Sequence, residues 1–230
     1  MTVFEAAGII SSTMDQITLA GIRNIIFDLD GTLIDSSPGV IEATNYALTR
    51  LGQKPRTAAE IIPFIGHPLE EMFAAFCAAP IADLSAAFQE RALTAVVGSA
   101  RALPGVIALL PRFHAAGYRL AIATTKYAIH TEGIVKKLGW AAYFSALASG
   151  DEVAQVKPAP DIIELAMHRL DARRSETVMV GDTVNDIRAA RSAGVMVIAV
   201  KSPFGNGELA ACGPDMVLES FAELERIFHL

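Results

Sequence analysis

The sequence predicts an α/β fold in which a doubly wound parallel sheet carries an inserted all-helical segment. Three observations predict it. After residue 103, short apolar, β-branched runs alternate with segments of helical periodicity, which is the pattern of a parallel sheet. One further apolar run, Ile25–Phe27, lies far upstream of these strands. Between Ile25–Phe27 and residue 103, apolar residues recur at helical spacing.

The composition indicates a folded, acidic protein. Of its 230 residues, 52% are hydrophobic and 19% are charged, which suffices for a sizeable core. A net charge of -6 argues against nucleic acid as a partner. The sequence has no apolar run near the ~18 residues of a membrane helix, and no basic residue before Arg23, where a secretory signal would carry charge. With Cys77 and Cys212 in no metal-type spacing, we expect a cytoplasmic protein with reduced thiols.

The first part of the chain predicts one strand followed by helices. Ile25–Phe27 is continuous and β-branched, as in a buried parallel strand. Ser36-Ser37-Pro38 predicts a helix start with a hydroxyl cap, and the helix continues from Val40 to Leu51. Further helices are predicted after Thr57, along Leu69–Phe76 and along Ile81–Val97.

After Leu103-Pro104-Gly105 strands and helices alternate. The predicted strands are Arg119–Ala123, Phe144–Ala148, Thr177–Val180, Val195–Val200 and Met216–Leu218. The predicted helices are Val106–Ala116, His130–Leu138, Pro160–Leu170, Asp186–Ser192 and a closing helix. We therefore expect a core formed by residues 21–35 and 103–230, with residues 36–102 as an inserted helical cap domain. Residues 1–20 are expected to be an N-terminal extension, either a short helix or a loose tail.

Polar side chains directly follow three of these strands. Asp28 and Asp30 follow the first strand, Thr124 follows the second and Asp182 follows a later one. In doubly wound sheets, ligands bind beyond the carboxyl ends of the strands, so these residues should meet at one edge. A period of two puts Asp28 and Asp30 on one side, where like charges repel unless a cation or a shared proton compensates. A solvated acidic turn is the alternative interpretation of this pair.

Four motifs, in order, resemble those of the haloacid dehalogenase superfamily in its phosphatase form. The first is Asp28-Leu29-Asp30-Gly31-Thr32-Leu33, and the second is Thr124 after its strand. The third is Lys157 before Pro158, and the fourth is Gly181-Asp182-Thr183-Val184-Asn185-Asp186. The resemblance covers nearly the whole chain beyond Arg23 and implies a Rossmann-like core with a helical cap.

This resemblance implies a role for each motif residue. Asp28 would attack phosphorus and form an aspartyl-phosphate, while Asp30 would protonate the leaving oxygen and then activate water. Thr124 and Lys157 would hold the phosphoryl oxygens. Each has a structural alternative: a strand-end threonine for Thr124 and a surface lysine before a helix for Lys157.

The resemblance also implies a Mg²⁺ site. Its ligands would be the Asp28 carboxylate, the Asp30 backbone carbonyl and the Asp182 carboxylate, which are the hard oxygen donors that Mg²⁺ prefers. Asp186 would hold a metal-bound water or orient its neighbours. For Asp182, capping of the following helix is the alternative role.

Two further residues concern substrate binding. Ile65–Phe73 resembles the cap segment of phosphoglycolate-phosphatase-like members, where His67 either reaches the substrate or is structural. Thr125 stands where the family often has asparagine, so a structural role is the better interpretation and substrate contact the alternative. His114, His130, His168 and His229 are interpreted as surface or satisfied core groups.

The predicted function is a Mg²⁺-dependent phosphatase acting on a small phosphorylated metabolite, with 2-phosphoglycolate as the leading substrate. Asp30 argues against the dehalogenases of the superfamily, which lack the second acid. Open alternatives are a pyrophosphatase, a nucleotide or sugar-phosphate phosphatase, and a β-phosphoglucomutase-like phosphomutase. A non-catalytic phosphate-binding module fits poorly with an intact acid pair. We expect a monomer or homodimer without nucleic-acid or membrane partners.

Overall fold

A parallel sheet forms the centre of this computed structural model, which describes residues 19–204 and 209–230. The predicted extension, residues 1–20, lies outside the described residues except for its last two. In chain order the strands are β1 (Asn24–Phe27), β2 (Ile34–Asp35), β3 (Arg101–Ala102), β4 (Arg119–Ala123), β5 (Phe144–Ala148), β6 (Thr177–Gly181), β7 (Met196–Val200) and β8 (Met216–Leu218). Within the described ranges, six of them form one sheet in the order β5-β4-β1-β6-β7-β8, with every neighbouring pair parallel.

The helices follow the predicted order. They are α1 (Ser37–Arg50), α2 (Ala58–Ile61), α3 (Leu69–Phe76), α4 (Ile81–Ser99), α5 (Val106–Ala115), α6 (Ala128–Lys137), α7 (Asp161–Leu170), α8 (Val184–Ala193) and α9 (Leu224–Ile227). The predicted bounds of β4, β5 and β8 agree with the structure residue for residue. The closing helix is short, since α9 spans a single turn after a 3₁₀ turn at Phe221–Glu223.

Alternate residues of the central strand pack on opposite faces of the sheet. Phe27 joins one core cluster, where its ring lies 5.9 Å from that of Phe113 in α5 and 5.7 Å from that of Phe221. Ile26 joins the other cluster, which contains apolar side chains of α7 and α8. Helices therefore cover both faces, which confirms the predicted doubly wound arrangement.

The order of the strands places a crevice beside β1. The chain adds β4 and β5 on one side of β1 and then returns to add β6, β7 and β8 on the other. Ligands of such sheets bind at this reversal, beyond the carboxyl ends of the strands. The segments after β1, β4 and β6 all begin at this edge, because these strands are parallel neighbours.

A two-stranded ribbon, which the sequence analysis missed, joins the segment of helices α1 to α4 to the core. β2 and β3 pair antiparallel, with Ile34 opposite Ala102 and Asp35 opposite Arg101. Two-residue strands are too short to show a periodic pattern, so the sequence predicted helices alone over this stretch. The ribbon brings the two ends of the helical insertion together beside the loop that follows β1.

Two expectations from composition can be compared with the structure. Cys77 and Cys212 are both free, as expected. Among the described residues no single helix is long and apolar enough to cross a membrane. By length and composition only, α3 and α4 together pass that test as a pair bent by 117°.

The packing of α1 against α4 gives a test of the helical insertion. A Cβ atom on Gly39 would lie 2.3 Å from the carbonyl oxygen of Ala95 and 2.4 Å from Oγ of Ser99. Gly39→Ala should therefore lower the free energy of unfolding by about 1–3 kcal/mol, as overpacking does. Thermal unfolding followed by circular dichroism measures the change.

The matched control is Gly98→Ala in α4, where an added Cβ would meet nothing within 4 Å. An alanine there should stabilise the helix by up to about 1 kcal/mol. Equal melting temperatures for the two variants would contradict the close crossing of α1 and α4.

Candidate active site

The loop after β1 is a tight, buried turn. Asp28 N donates to the Val180 carbonyl at 2.9 Å, and Leu33 N donates to the Leu29 carbonyl at 2.9 Å. Asp28 and Asp30 are both about 95% buried, at 4% and 5% exposure. A solvated acidic turn, the alternative for this pair, is therefore wrong.

Gly31 allows this turn to approach the loop after β6. Its φ is +89°, in the left-handed region, and a Cβ atom there would lie 2.1 Å from Oδ2 of Asp182. Glycine meets both requirements, because it tolerates positive φ and lacks the Cβ. The Gly31-Thr32 pair thus places Asp182 against the first loop, where Thr32 Oγ1 donates to Asp182 Oδ1 at 2.8 Å.

Lys157 lies at the centre of the carboxylate cluster. Its Nζ donates to Asp28 Oδ1, to Asp186 Oδ1 at 2.6 Å and to the Ala123 carbonyl at 3.0 Å. These are three acceptors for the three protons of an ammonium group. Burial alone would lower the pKa of Lys157, but the charges of Asp186 and Asp28 outweigh it and hold the pKa above the ordinary value. Lys157 is therefore a buried cation, and the surface-lysine alternative is wrong.

The carboxylates of Asp28, Asp182 and Asp186 form a compact acidic cluster. One oxygen of each lies within 4.8 Å of the others, and all three residues are buried. Burial raises the pKa of Asp28 well above its usual value, opposed by Lys157 and reinforced by Asp186 and Asp182. Burial also raises the pKa of Asp182 to about 7, with the charge of Asp186 adding to the effect. Burial and the repulsion among the carboxylates thus outweigh the positive charge of Lys157 at both residues.

The start of α8 orients Asp186. The N-cap residue is Thr183, whose N–H and hydroxyl donate to Asp186 Oδ2 at 2.9 and 2.7 Å. In return, Thr183 Oγ1 accepts from the Asp186 N–H at 3.2 Å. This reciprocal arrangement is a capping box, which fixes the side chain at the third helical position. Because Thr183 caps the helix, the capping role considered for Asp182 is wrong. Asp182 Oδ2 instead accepts a hydrogen bond from the Ser202 hydroxyl at 2.6 Å.

The side chain of Asp30 lies in a different environment. Its Oδ1 accepts from the hydroxyl of Ser36, and its Oδ2 lies 3.0 Å from Nζ of Lys126. The predicted hydroxyl cap by Ser36 is therefore wrong, since this hydroxyl bonds Asp30 and not the helix. Asp35 Oδ1 accepts from the N–H of Ser37 at 2.8 Å at the start of α1.

Lys126 is a site residue that the sequence analysis missed. Its side chain is 10% exposed and pairs with Asp30. A signal was available, since Lys126 follows the motif residue Thr124 by two positions at the same sheet edge. The four-motif pattern does not include this position, so the pattern alone did not select it.

The predicted threonines have different surroundings. Thr124 is buried and its hydroxyl accepts from the Lys126 N–H at 3.2 Å, while β4 beside it pairs with β1. Thr125 Oγ1 donates to the Gly66 carbonyl at 3.2 Å, which links the sheet edge to the helical insertion. This contact supports the structural interpretation of Thr125.

A cavity of about 180 Å³ lies between the helical insertion and this sheet edge. Its lining includes Asp30 and Lys126 from the core and His67 from the insertion. His67 Nδ1 lies 3.0 Å from Oε2 of Glu71, so the structure brings His67 to the cavity but not into the acidic cluster. His130 also lines it, a position that its interpretation as a surface or satisfied core group did not anticipate.

The imidazole of His130 carries no charge at neutral pH. The residue is buried, and burial lowers its pKa to about 4, with the positive charge of Lys126 acting in the same direction. It was missed as a cavity residue because a single histidine on a helix has no spacing pattern.

Comparison with known proteins agrees with this geometry. The family model for haloacid dehalogenase-like hydrolases matches residues 25–200. The probable phosphatase IndB of Dickeya dadantii is 34% identical over 215 residues, which are 89% of this chain and 93% of that protein. A phosphoglycolate phosphatase of Mesorhizobium japonicum is 32% identical over 208 residues, which are 87% of this chain and 92% of the relative.

A solved structure gives the same result for the fold. CbbY from Rhodobacter sphaeroides, in complex with phosphate, superposes with a TM-score of 0.77 at 32% identity. The alignment covers 91% of this chain and all of that one, 100%. The predicted resemblance to phosphoglycolate-phosphatase-like hydrolases is thereby confirmed. The chain belongs to the haloacid dehalogenase-like hydrolase family, and it is a hydrolase whose acidic cluster lies where the strand order reverses.

Proposed function

We propose that this protein is a Mg²⁺-dependent phosphatase that hydrolyses a small phosphorylated metabolite through an aspartyl-phosphate on Asp28, with 2-phosphoglycolate as the leading substrate. The observation that carries the proposal is the buried cluster of Asp28, Asp182 and Asp186 around Lys157. Two carboxylates with raised pKa values, in a family of hydrolases, are typical of a catalytic site.

The cluster fits a hard divalent cation. Its donors are carboxylate oxygens within 4.8 Å of one another, and they carry more negative charge than Lys157 balances. Asp28 and Asp182 would hold Mg²⁺, together with the backbone carbonyl of Asp30, while Asp186 stays oriented by Thr183. When bound, the ion supplies Lewis-acid neutralisation of the phosphate charge.

Asp28 is proposed as the nucleophile. Its carboxylate oxygen forms a bond to phosphorus while the bond from phosphorus to the leaving oxygen breaks. Lys157 opposes the effect of burial on Asp28, so it favours the ionised carboxylate more than burial alone would allow. Thr124 and Lys157 are proposed to hold the phosphoryl oxygens, Lys157 through its positive charge. The products of this half-reaction are the aspartyl-phosphate and the free alcohol.

Asp30 is proposed as the acid and then the base. It gives a proton to the leaving oxygen, and later takes one from the water that attacks the aspartyl-phosphate. That second step breaks the bond between Asp28 and phosphorus, so it releases inorganic phosphate and restores both carboxyl groups. Ser36 and Lys126 hold the two oxygens of Asp30, which fixes the orientation that proton transfer requires.

The size of the cavity supports a small substrate. About 180 Å³ is below the roughly 300–1,000 Å³ of pockets that hold drug-sized ligands. We propose that residues 36–102 act as a cap over the site. The hydrogen bond from Thr125 to Gly66 would be one point of closure, and closure would exclude water.

The reaction class is tested by measuring phosphate release from 2-phosphoglycolate, pyrophosphate and β-glucose 1-phosphate, with and without Mg²⁺. We expect rapid Mg²⁺-dependent release from 2-phosphoglycolate. A phosphomutase would release little phosphate and would convert the sugar phosphate instead. Absence of release from every phosphate ester by folded protein would contradict the proposal.

Asp28→Asn should lower kcat by at least about 1,000-fold, because it removes the nucleophile. Its melting temperature in EDTA should match or exceed that of the wild type, because burial disfavours the charge of Asp28 and Lys157 keeps its ion pair with Asp186. The matched control is Asp171→Asn at an exposed position after α7, which should leave kcat unchanged. Near-normal turnover by Asp28→Asn would rule out the mechanism.

The cation site predicts a pH-dependent stability. The folded pKa of Asp182, about 7, lies above its unfolded value, so its stabilising contribution is present at low pH and is lost as pH rises through 7. In EDTA, the melting temperature of the wild type should therefore fall between pH 6.5 and pH 8 relative to that of Asp182→Asn.

Added Mg²⁺ should reverse this trend, because the ion takes the place of the proton. We expect a larger rise in melting temperature at pH 8 than at pH 6.5, and a much smaller rise in Asp182→Asn. An equal rise in both proteins at both pH values would show that Mg²⁺ does not bind at the cluster.

A further inference from the structure

Lys126 lies beside Asp30 at the wall of the cavity. It lines the cavity, its side chain is 10% exposed, and its Nζ is 3.0 Å from Oδ2 of Asp30. If Asp30 is the acid, the leaving oxygen must lie about 2.6–3.2 Å from its carboxylate. The ammonium of Lys126 is then within about 6 Å of the leaving oxygen, on the side where the rest of the substrate must extend.

The two lysines of the site differ in the donors that they have available. Lys157 uses its three N–H groups on Asp28, Asp186 and the Ala123 carbonyl. Within the described part of the chain, the acceptor that Lys126 Nζ contacts is Asp30 Oδ2. Two N–H groups of Lys126 are therefore left without an acceptor among the described residues, at the wall of the cavity where they are available to a ligand.

Besides Lys126, the basic side chains of the described cavity lining are two histidines. His130 is neutral, because burial and the charge of Lys126 lower its pKa to about 4. His67 pairs with Glu71, and no arginine is among the described residues that line the cavity. Much of the remaining lining is apolar, as at Val40, Phe64, Leu69, Met72, Phe88 and Val96.

The acidic lining groups leave Lys126 accessible to an anion. Asp151 Oδ1 accepts from the Ala128 N–H at 2.8 Å, so this carboxylate is bound to the start of α6. Glu70 is exposed, where solvent screens its charge. Asp30 offsets part of the Lys126 charge but occupies one of its three donors.

We propose that Lys126 determines substrate specificity by binding a second anionic group, a carboxylate or a phosphoryl group, on the leaving-group side of the substrate. This inference rests on the proposed phosphatase function and deepens it. A carboxylate bonded to the ester carbon, as in 2-phosphoglycolate, has its oxygens about 3–4 Å from the ester oxygen, given ordinary bond lengths. That is within reach of Lys126, whereas an uncharged alcohol leaves its two N–H groups unpaired.

The test compares substrates that differ in this group. The ratio of kcat/KM for 2-phosphoglycolate to that for 2-hydroxyethyl phosphate is measured in wild type and in Lys126→Met. Because both substrates need Asp30, any effect of the variant on Asp30 cancels in the ratio. We expect the ratio to fall about 10- to 100-fold, the scale of a charge-assisted hydrogen bond, and to fall less in Lys126→Arg.

The matched control is Lys136→Met, an exposed lysine on α6, which should leave the ratio unchanged. Pyrophosphate, whose leaving group carries a phosphoryl group, serves as the third substrate. If Lys126→Met loses more kcat/KM for 2-phosphoglycolate, a carboxylate is the preferred anion. If it loses more for pyrophosphate, a phosphoryl group is preferred. A ratio unchanged by Lys126→Met would overturn the proposal. If Lys126→Met does not fold, the wild type alone gives a test. Equal kcat/KM values for 2-hydroxyethyl phosphate and 2-phosphoglycolate would then overturn the proposal.

Binding measured without turnover tests the role of Lys126 independently of the phosphatase reaction. Calorimetry with Asp28→Asn and Mg²⁺ measures the dissociation constants of 2-phosphoglycolate and 2-hydroxyethyl phosphate without turnover. We expect at least about tenfold tighter binding of the acid, and loss of that preference when Lys126→Met is added. An inactive wild type that keeps the Lys126-dependent preference contradicts only the phosphatase function. A preference that persists without Lys126 contradicts only the specificity role.

Discussion

The ion pairs of Lys157 with Asp28 and Asp186 are the interaction on which the rest of the site depends. Three carboxylates meet where the sheet reverses its strand order, and buried like charges repel one another strongly. Lys157 contacts two of them and a strand carbonyl, so one side chain ties the ends of β1, β4 and α8 together. Without Lys157, the carboxylates would move into solvent or become protonated, because an unpaired charge is costly to bury.

The backbone shows how closely these elements must approach. Gly31 has no room for a Cβ against Asp182, and a Cβ on Gly181 would lie 2.5 Å from that of Asp186. Thr32, Ser202 and Thr183 then hold individual carboxylate oxygens. The fold thus orients the carboxylates before a ligand binds. The raised pKa values of Asp28 and Asp182 mean that their charges are unfavourable without a partner, so the cluster favours a cation.

Sequence reasoning found what depends on local pattern. The strand ends at Asp28, Thr124 and Asp182 followed from apolar runs, and the buried cluster followed from parallel strands ending at one edge. It missed contacts between segments far apart in the chain. Lys126 is distinguished only by its ion pair with Asp30. The β2–β3 ribbon is defined only by its pairing. The Ser36 hydroxyl bonds Asp30 and does not cap the helix, which local sequence does not reveal.

The central claim is that the Asp28 carboxylate becomes phosphorylated during turnover. We would quench the enzyme with acid while it hydrolyses 2-phosphoglycolate in Mg²⁺, reduce it with borohydride and map the peptides by mass spectrometry. Reduction of an aspartyl-phosphate gives homoserine. The account predicts homoserine at position 28, dependent on substrate and Mg²⁺. Steady turnover with unmodified Asp28, or with modification at another residue, would contradict it.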